Sequence, residues 1–543
     1  MLMSNQPKKQ SFLGGAAILA SAVAVVKLIG AFYKIPLNNI LGDVGKTYFN
    51  TAYEIYSVLL TLSTAGLPLA ISKLTSQAQA QGRENEKRKI FRVALGLFFV
   101  IGLAGSVFMF ACAADLAAFQ NNKSAFVAIR ALSPAVFCVC ILACIRGYTQ
   151  GQGNMTPTAT SQVLEALCKV CLGLPLAWYL LSIGFGGARV QEYVAGGAIF
   201  GVAAGTVVSM LFLIVYLLRH RSHAASLDVP SPAGKLVRQI LAIGIPITIS
   251  GSAMSIITVV DTKVILGQLQ SSLGLAEEAA AALKGQYSFA MDMVNMVASF
   301  VYPVTTSLIP YAAAALTRKD YAAADRTIST GFRLLALLAL PAGIGLSVLS
   351  TPIMRLILPA QQESAIAAGP HLQVLGIACI FICIMILTNA ILQTYGKEKL
   401  PIFTVIVGGC VKVVMNYILV GNPDINIHGA KYSTLACYAA IVVLNLIFVW
   451  KYSPQKPKYF QLFAKPVVAS VLMGVCARGA YTLVGGVLHA ATSYGGNALA
   501  TLIGIGAGVA VYAVLVIALR ILRAEDVKSL PKGAKIAKIL RLK

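Results

Sequence analysis

About fourteen long apolar runs, separated by short stretches that carry most of the charge, constrain this chain more than any other feature. They lie near 12–36, 47–72, 90–113, 125–147, 157–182, 193–218, 239–266, 285–315, 328–357, 370–394, 400–420, 430–450, 466–488 and 498–522. Crossing a bilayer core takes about 20 apolar residues. Backbone amides left unpaired there are intolerable, so each run is predicted to be a helix. Only 12% of the 543 residues are charged and 58% are hydrophobic, whereas a soluble domain carries about 25% charge. The expectation is an all-α integral membrane protein with no sizeable soluble domain.

The net charge of +25 would suit a nucleic-acid binder only if it formed one compact basic face. Here the basic residues sit in short clusters at alternate connections. One set holds Lys8 and Lys9, then Arg83 to Lys89, Arg219 to Arg238, Arg318 to Arg326, Lys397 and Lys399, Lys451 to Lys458, and the tail from Arg520. The opposite set holds little beyond Lys46, Lys123, Arg189, Lys284 and Lys431. The positive-inside rule makes the rich side cytoplasmic, with both termini on it. The tail 523–543 reads as a basic amphipathic stretch resting on anionic lipid headgroups. All eleven cysteines fall inside apolar runs and are expected to act as small buried hydrophobes. Cys168-x-x-Cys171 has redox spacing but lies mid-membrane without a partner motif. The first run is long, carries Lys27 and Lys34 and lacks a small-residue cleavage site, so no removable signal peptide is expected.

A faint internal repeat links QGQGNMTPTATSQVLEALCKV from Gln150 to QTYGKEKLPIFTVIVGGCVKV from Gln393. Each has Gln, Gly three residues on, a Pro opening the next helix, and then Lys-Val. Either the match is chance or it marks corresponding places in two halves, as transporters show. The resulting division is 1–218 (six spans), 219–238 (cytoplasmic connection), 239–450 (six spans), 451–522 (two further spans) and the tail 523–543.

Charges inside the spans carry the functional argument, because each costs about 2.5–3.5 kcal/mol on insertion scales. At about 1.5 Å rise per residue, Lys27, Lys34, Glu54, Asp261, Lys263 and Asp292 fall in the outer halves of the first, second, seventh and eighth spans. They read as an outward polar vestibule. Lys34, Asp261 and Lys263 are near enough to the surface to snorkel, and Lys27, Glu54 and Asp292 fit either a function or structural ion pairs. Lys169 and Lys412, matched in the repeat, lie at mid-depth. Glu165 stands one turn before Lys169, so an i,i+4 pair is the simplest expectation. Lys412 has Gly408 there instead and Asn416 one turn on. Arg478 is a third mid-membrane cation. Pro36, Gly66 with Pro68, Pro134, Pro246, Pro303 with Pro310 and Pro341 are candidate kinks or static packing features.

The run IGAFYKIPLNNILGDVGKTYFNTAYEIYSVLLTLSTAGLPLAISKL (29–74) resembles the polysaccharide transporter and lipid-linked oligosaccharide flippase family of the MOP superfamily, which includes stage V sporulation protein B and the MurJ-type lipid II flippases. ALSPAVFCVCILACIRGYTQGQGNMTP (131–157), IGIPITISGSAMSIITVVDT (243–262), QTYGKEKLP and VKVVMNYILV resemble it too. The resemblance covers roughly residues 10–450. It implies two six-helix lobes in a V around a cavity that opens alternately to each side. It also implies an undecaprenyl-pyrophosphate-linked precursor as substrate, lipid II above all. The last two helices would form a groove for the lipid tail. Lys27 falls on a family arginine position, Tyr33 replaces the neighbouring arginine, and Lys34 replaces an acid. Relatives carry a basic residue on the eighth helix where this chain offers Asp292, so Lys263 would have to serve in its place.

The candidate substrate-binding set is Lys27, Tyr33, Lys34, Glu54, Lys263 and Asp292. The candidate ion-coupling or gating set is Asp261, Lys412 and Asn416. Glu165, Lys169 and Arg478 are the remaining mid-membrane charges. Two other readings stand beside the flippase. A cation-coupled multidrug antiporter of the related MATE family would use Glu54, Asp261 and Asp292. A membrane glycan polymerase or ligase would need a large external loop and catalytic groups that the chain does not present. No Walker-type GxxxxGK[ST] occurs, so energy is expected from Na+ or H+, the membrane potential or substrate supply. No cofactor, metal or nucleic-acid partner is expected. The chain is read as a monomer in a bacterial cell membrane, in contact with anionic lipids.

Overall fold

The computed structural model of the protein describes residues 12–64, 66–220, 226–453, 456–519 and 521. Helix is the only regular element among them. The basic tail 523–543, with Lys8 and Lys9, lies outside the described residues. Contacts divide the chain into two compact units, one running to Ser271 with Leu275–Ala282, the other from Leu283 onward with Ser272–Gly274.

The first unit contains α1 (Phe12–Thr64), α2 (Leu67–Ala80), α3 (Glu84–Ala111), α4 (Ala113–Phe119), α5 (Phe126–Gly151), α6 (Thr156–Cys168), α7 (Leu174–Ser182), α8 (Val190–Arg219) and α9 (Ala233–Ser271). The second contains most of α10 (Glu277–Thr317), then α11 (Tyr321–Val348), α12 (Ser350–Ile357), α13 (Gln362–Thr394), α14 (Lys399–Val420), α15 (Gly429–Tyr452), α16 (Tyr459–Val487) and α17 (Tyr494–Ala518). Among the described residues, twelve stretches are long and apolar enough to cross a membrane. The first of these, Ser21–Ala80, breaks at Gly42 (φ 62°, ψ −175°) and so makes two crossings. With α10, which has 41 residues, the total is about fourteen, as the apolar runs predict. The protein is a multi-pass membrane protein.

Three local features depart from the predicted spans. Residues 37–46, expected as a connection, are helical on both sides of Gly42, whose positive φ lets the chain reverse without a loop. The second span stops at Thr64, and α2 starts afresh with Pro68 in its first turn. A Cβ on Gly66 would stand 2.0 Å from the Gly244 carbonyl oxygen, so this break lets α9 approach. The fifth span is also divided: between α6 and α7 lies one π-helical turn, Lys169–Gly173. Along α8, Gly197, Gly201 and Gly205 form a stripe that admits this divided helix. A Cβ on Gly201 would meet the Gly173 Cα at 2.3 Å, and one on Gly205 the Glu165 carbonyl at 2.8 Å. Close approach through small residues is how lipid-embedded helices gain packing without a hydrophobic driving force.

The weak sequence repeat has a structural counterpart. α5 and α13 end identically: the Gly153 amide donates to Gln150 O and Asn154 to Thr149 O, at 2.9 and 3.1 Å. Gly396 donates to Gln393 O and Lys397 to Leu392 O, both at 2.9 Å. These are paired Schellman caps on left-handed glycines, φ +78° and +70°. Likewise α3 and α11 each have 28 residues, and each is followed by a short helix after a kink at Cys112 or Leu349. By chain order the corresponding halves meet in the 219–238 connection, whereas contacts place α9 with the first unit, because it packs on α1, α2 and α3.

The start of α3 is capped from a distance. Asp228 accepts the Asn85 and Glu86 amides at 2.9 and 2.8 Å. Arg83 bonds Val229 O at 3.1 Å. None of the eleven cysteines is in a disulfide: six are buried, whereas Cys171, Cys410 and Cys476 are exposed on helix surfaces rather than buried as expected.

Candidate functional site

The first unit concentrates aromatic rings and charge where α1 meets α6. Tyr33, on the arm of α1 before Gly42, is 3% exposed, and its hydroxyl has no hydrogen-bond partner. The Lys169 ammonium lies 4.6 Å from the Tyr33 ring centroid and 5.5 Å from that of Tyr53, on the arm after Gly42. Both distances are within cation–π range. Tyr53 stacks on Phe49 at 6.1 Å and leans on Tyr56 at 5.8 Å. Lys169 opens the π turn, a distortion that recurs at functional sites.

Glu165 meets a cation from another helix. Its carboxylate takes Arg146 Nη2 of α5 at 3.0 Å, while Arg146 Nε donates to Ser161 Oγ at 2.9 Å. Ser209 of α8 closes the group by donating to Ser161 O at 2.9 Å. The ion pair is half-buried, its side chains 17% and 29% exposed. The planar guanidinium spans two acceptors on α6, one donor on the Glu165 carboxylate and one on the Ser161 hydroxyl. Arg146 was missed in the sequence because it sits at the end of an apolar run, where snorkelling is the ordinary reading. Lys46 was missed likewise. Read as a connection residue, it is 2% exposed, with its ammonium 5.9 Å from the Phe49 ring.

The other predicted residues lie on several helices. Lys27 and Lys34 share the first arm of α1, Lys27 exposed and Lys34 half-buried, while Glu54 follows Tyr53 on the second arm. Asp261 is buried near the end of α9. Lys263 sets its ammonium 3.6 Å from the Phe119 ring centroid of α4. Asp292, Lys412, Asn416 and Arg478 belong to the second unit. Asp292 is buried in α10, and Lys412 is half-buried. Asn416 is sealed and accepts from Ser433 of α15. Arg478 is exposed and donates to Val348 O at 3.3 Å, closing the end of α11, as basic side chains do at helix C-termini. Tyr33 and Lys169, both singled out in the sequence, are in ring contact. No cluster of three or more metal-ligating side chains occurs among the described residues.

Residues 12–316 match the model of a family described as polysaccharide biosynthesis protein. The chain belongs to that family. Residues 246–418 also match the MatE family. Three relatives from Bacillus subtilis (strain 168) are similar over most of their length. The uncharacterized membrane protein YabM is 27% identical over 97% of this chain and 96% of its own. Stage V sporulation protein B is 24% identical over 96% and 98%, and the lipid II flippase MurJ is 23% identical over 86% and 88%. Among solved structures, an inward closed lipid II flippase MurJ superposes with TM-score 0.67 at 13% identity, over 93% of this chain and 99% of that one. An inward-facing multidrug transporter of the MATE family, in the MOP superfamily, superposes at 0.63 and 16% identity over 81% and 98%. These likenesses fix the fold of the family member. The named activities among them are flipping and drug transport, not enzymatic catalysis.

Proposed function

We propose that the protein is a flippase that carries an undecaprenyl-pyrophosphate-linked cell-wall or polysaccharide precursor, lipid II in the most specific form of the reading, from the cytoplasmic to the outer leaflet by alternating access. The observation that carries it is whole-length similarity to a lipid II flippase, in a chain whose first unit places lysines inside its spans. A pyrophosphate carries about two negative charges, and Lys27, Lys34 and Lys169 supply opposite charge in a medium of low dielectric constant. Tyr33 and Tyr53 would help hold Lys169 in place. Lys27, Tyr33, Lys34, Glu54, Lys263 and Asp292 remain the proposed substrate-binding set, and Asp261, Lys412 and Asn416 the proposed coupling set. The lysine and arginine bias supports both termini on the cytoplasmic side of the bacterial cell membrane, with Na+, H+ or the membrane potential as the energy source.

The MatE match favours a second reading, a cation-coupled multidrug antiporter using Glu54, Asp261 and Asp292. The MATE structure covers less of the chain than the MurJ structure does, and lysines on the same helices oppose cationic cargo.

The test is translocation of a defined pyrophosphoryl-linked lipid by the purified protein in liposomes. Flipping is expected, and Lys27→Ala is expected to abolish it while leaving the protein folded. Drug efflux without flipping would replace the first reading by the second. Full complementation of a flippase-depleted strain by Lys27→Ala would remove Lys27 from the site. Lys412→Ala is expected to alter the dependence on sodium, pH or potential, and an unchanged dependence would end its coupling role.

A further inference from the structure

Basic and imidazole side chains gather in the second unit where α15 begins. His428 occupies the N-cap position of α15, but its side chain caps nothing. Its ring stacks on that of His371 from α13, with centroids 4.9 Å apart and planes 23° from parallel. Tyr287 of α10 meets His371 edge-on at 6.0 Å, and its hydroxyl pairs with Thr434 Oγ1 at 2.7 Å. The Lys284 ammonium lies 5.0 Å from the Tyr287 ring. Lys431, in the first turn of α15, donates to Pro370 O at 3.2 Å.

This arrangement runs against the electrostatics of a helix start. The N-terminal end of a helix carries partial positive charge and favours acids, yet α15 has no acid in its first turn. It has instead a lysine that is only 7% exposed. His371 is 1% exposed, and its Nδ1 is buried without a hydrogen-bond partner. Buried polar atoms are almost always paired, so an orphan of this kind points to a group that completes it. An ammonium has three donors, and the Pro370 carbonyl takes one of those on Lys431.

We propose that this end of the second unit binds a small inorganic anion of halide size between His371 Nδ1 and the Lys431 ammonium, at the positive end of the α15 dipole. The near-complete burial of both side chains sets the size limit, and the exposed ring of His428 marks the way in. The anion would offset the charge of Lys431 and join α13 to α15. The site is independent of the proposed flippase activity.

The experiment is thermal unfolding of the full-length protein in detergent, titrated with sodium chloride against sodium gluconate at constant ionic strength. Chloride is expected to raise the unfolding temperature in a saturable way that gluconate and phosphate do not reproduce. Half-saturation is expected to move up by at least about tenfold in His371→Ala and in Lys431→Gln, and to stay put in the exposed control Lys458→Gln. Equal responses to chloride and gluconate, saturation by phosphate alone, or an undiminished response in both site variants would overturn the proposal. Bromide-soaked crystals of the unaltered protein decide the matter if the variants do not fold. An anomalous peak between His371 and Lys431 is expected, and a crystal with no peak there rejects the site.

Discussion

Four residues before the glutamine of its Schellman cap, the first half of the molecule has Arg146 and the second half has Asn389. Around Arg146 the partners are the Glu165 carboxylate and Ser161, and the pair stays partly exposed. Around Asn389 the partners are neutral. Asn445 donates to Asn389 Oδ1 at 2.8 Å and to Thr388 Oγ1 at 3.1 Å, and accepts from Thr404 Oγ1 at 2.8 Å. Thr388, Thr404 and Asn445 are all fully buried. Small residues change sides as well. In the first half the glycines lie on α8 and the charge on α6. In the second, Gly408 of α14 admits Ile441 of α15, since a Cβ there would stand 2.4 Å from Ile441 Cγ1.

The contrast shows one fold serving two purposes. A sealed junction tolerates polar atoms only when each finds a neutral partner, because a buried charge carries a large desolvation penalty. The charged junction is therefore the open one, and it adjoins the π turn and the caged Lys169. At this pair of matched positions the first half keeps an ion pair and the second half a neutral network.

Asn445→Leu has the largest expected effect on stability. It removes three hydrogen bonds, while Thr388 and Thr404 keep their bonds to Ile384 O and Pro401 O, at a total of about 3 kcal/mol given about 1 kcal/mol net for each bond lost. Thermal unfolding reads it, and the loss should be insensitive to salt. Arg146→Ala should cost about 2 kcal/mol, less than the 3–5 kcal/mol of a fully buried broken pair because this pair is partly exposed. Added salt should shrink that difference. Equal salt sensitivity in the two variants would break the contrast between charged and neutral junctions. Lys169→Met should slow transport by about tenfold, or about 1.4 kcal/mol, with little change in unfolding. Lys412→Met is expected to affect coupling rather than rate, and identical rate losses in both would show the halves to be equivalent.

The smallest expected effect comes from the helix starts. Asp320 caps α11 locally, accepting the Ala323 amide at 3.0 Å. The corresponding residue of α3 is Arg83, so its acid comes from Asp228 in the connection. Desolvation pushes the Asp228 carboxyl up, but Ser226, the Asn85 and Glu86 amides and the Arg83 charge outweigh it and hold it below the ordinary 3.8. A depressed carboxyl contributes stability that is present above its unfolded value and is lost as pH falls through its folded value. Asp228→Asn should therefore lower stability at neutral pH and flatten the decline below about pH 4. An unchanged acid limb in unfolding measurements would reject the distant cap.

Much of this was legible in the chain. Long apolar runs announce membrane helices because lipid gives backbone amides no other partner. Gln-x-x-Gly twice over announced two matched helix ends, and the ends proved to be the same cap. The partners of the charges were not legible. Glu165 with Lys169 is the nearest pair along the helix, but Glu165 also bonds Arg146, and nothing in the local spacing reveals a guanidinium arriving from α5. Lys46 and Lys431, filed among connection residues, are buried because neighbouring helices close over them. The His371–His428 stack joins the interior of α13 to the start of α15.

The sequence by itself determined that this protein lives in a membrane and roughly how many times it crosses, and it offered a faint match between two helix ends, since hydropathy and cap residues act over one or two turns. Only the tertiary structure decided which charge meets which ring or carboxylate, because that depends on how closely helices distant in sequence approach. Gly201 and Gly205 on α8 let the divided helix come close on either side of the π turn at Lys169, and the packing of α1 on α6 puts Tyr33 and Tyr53 beside that lysine.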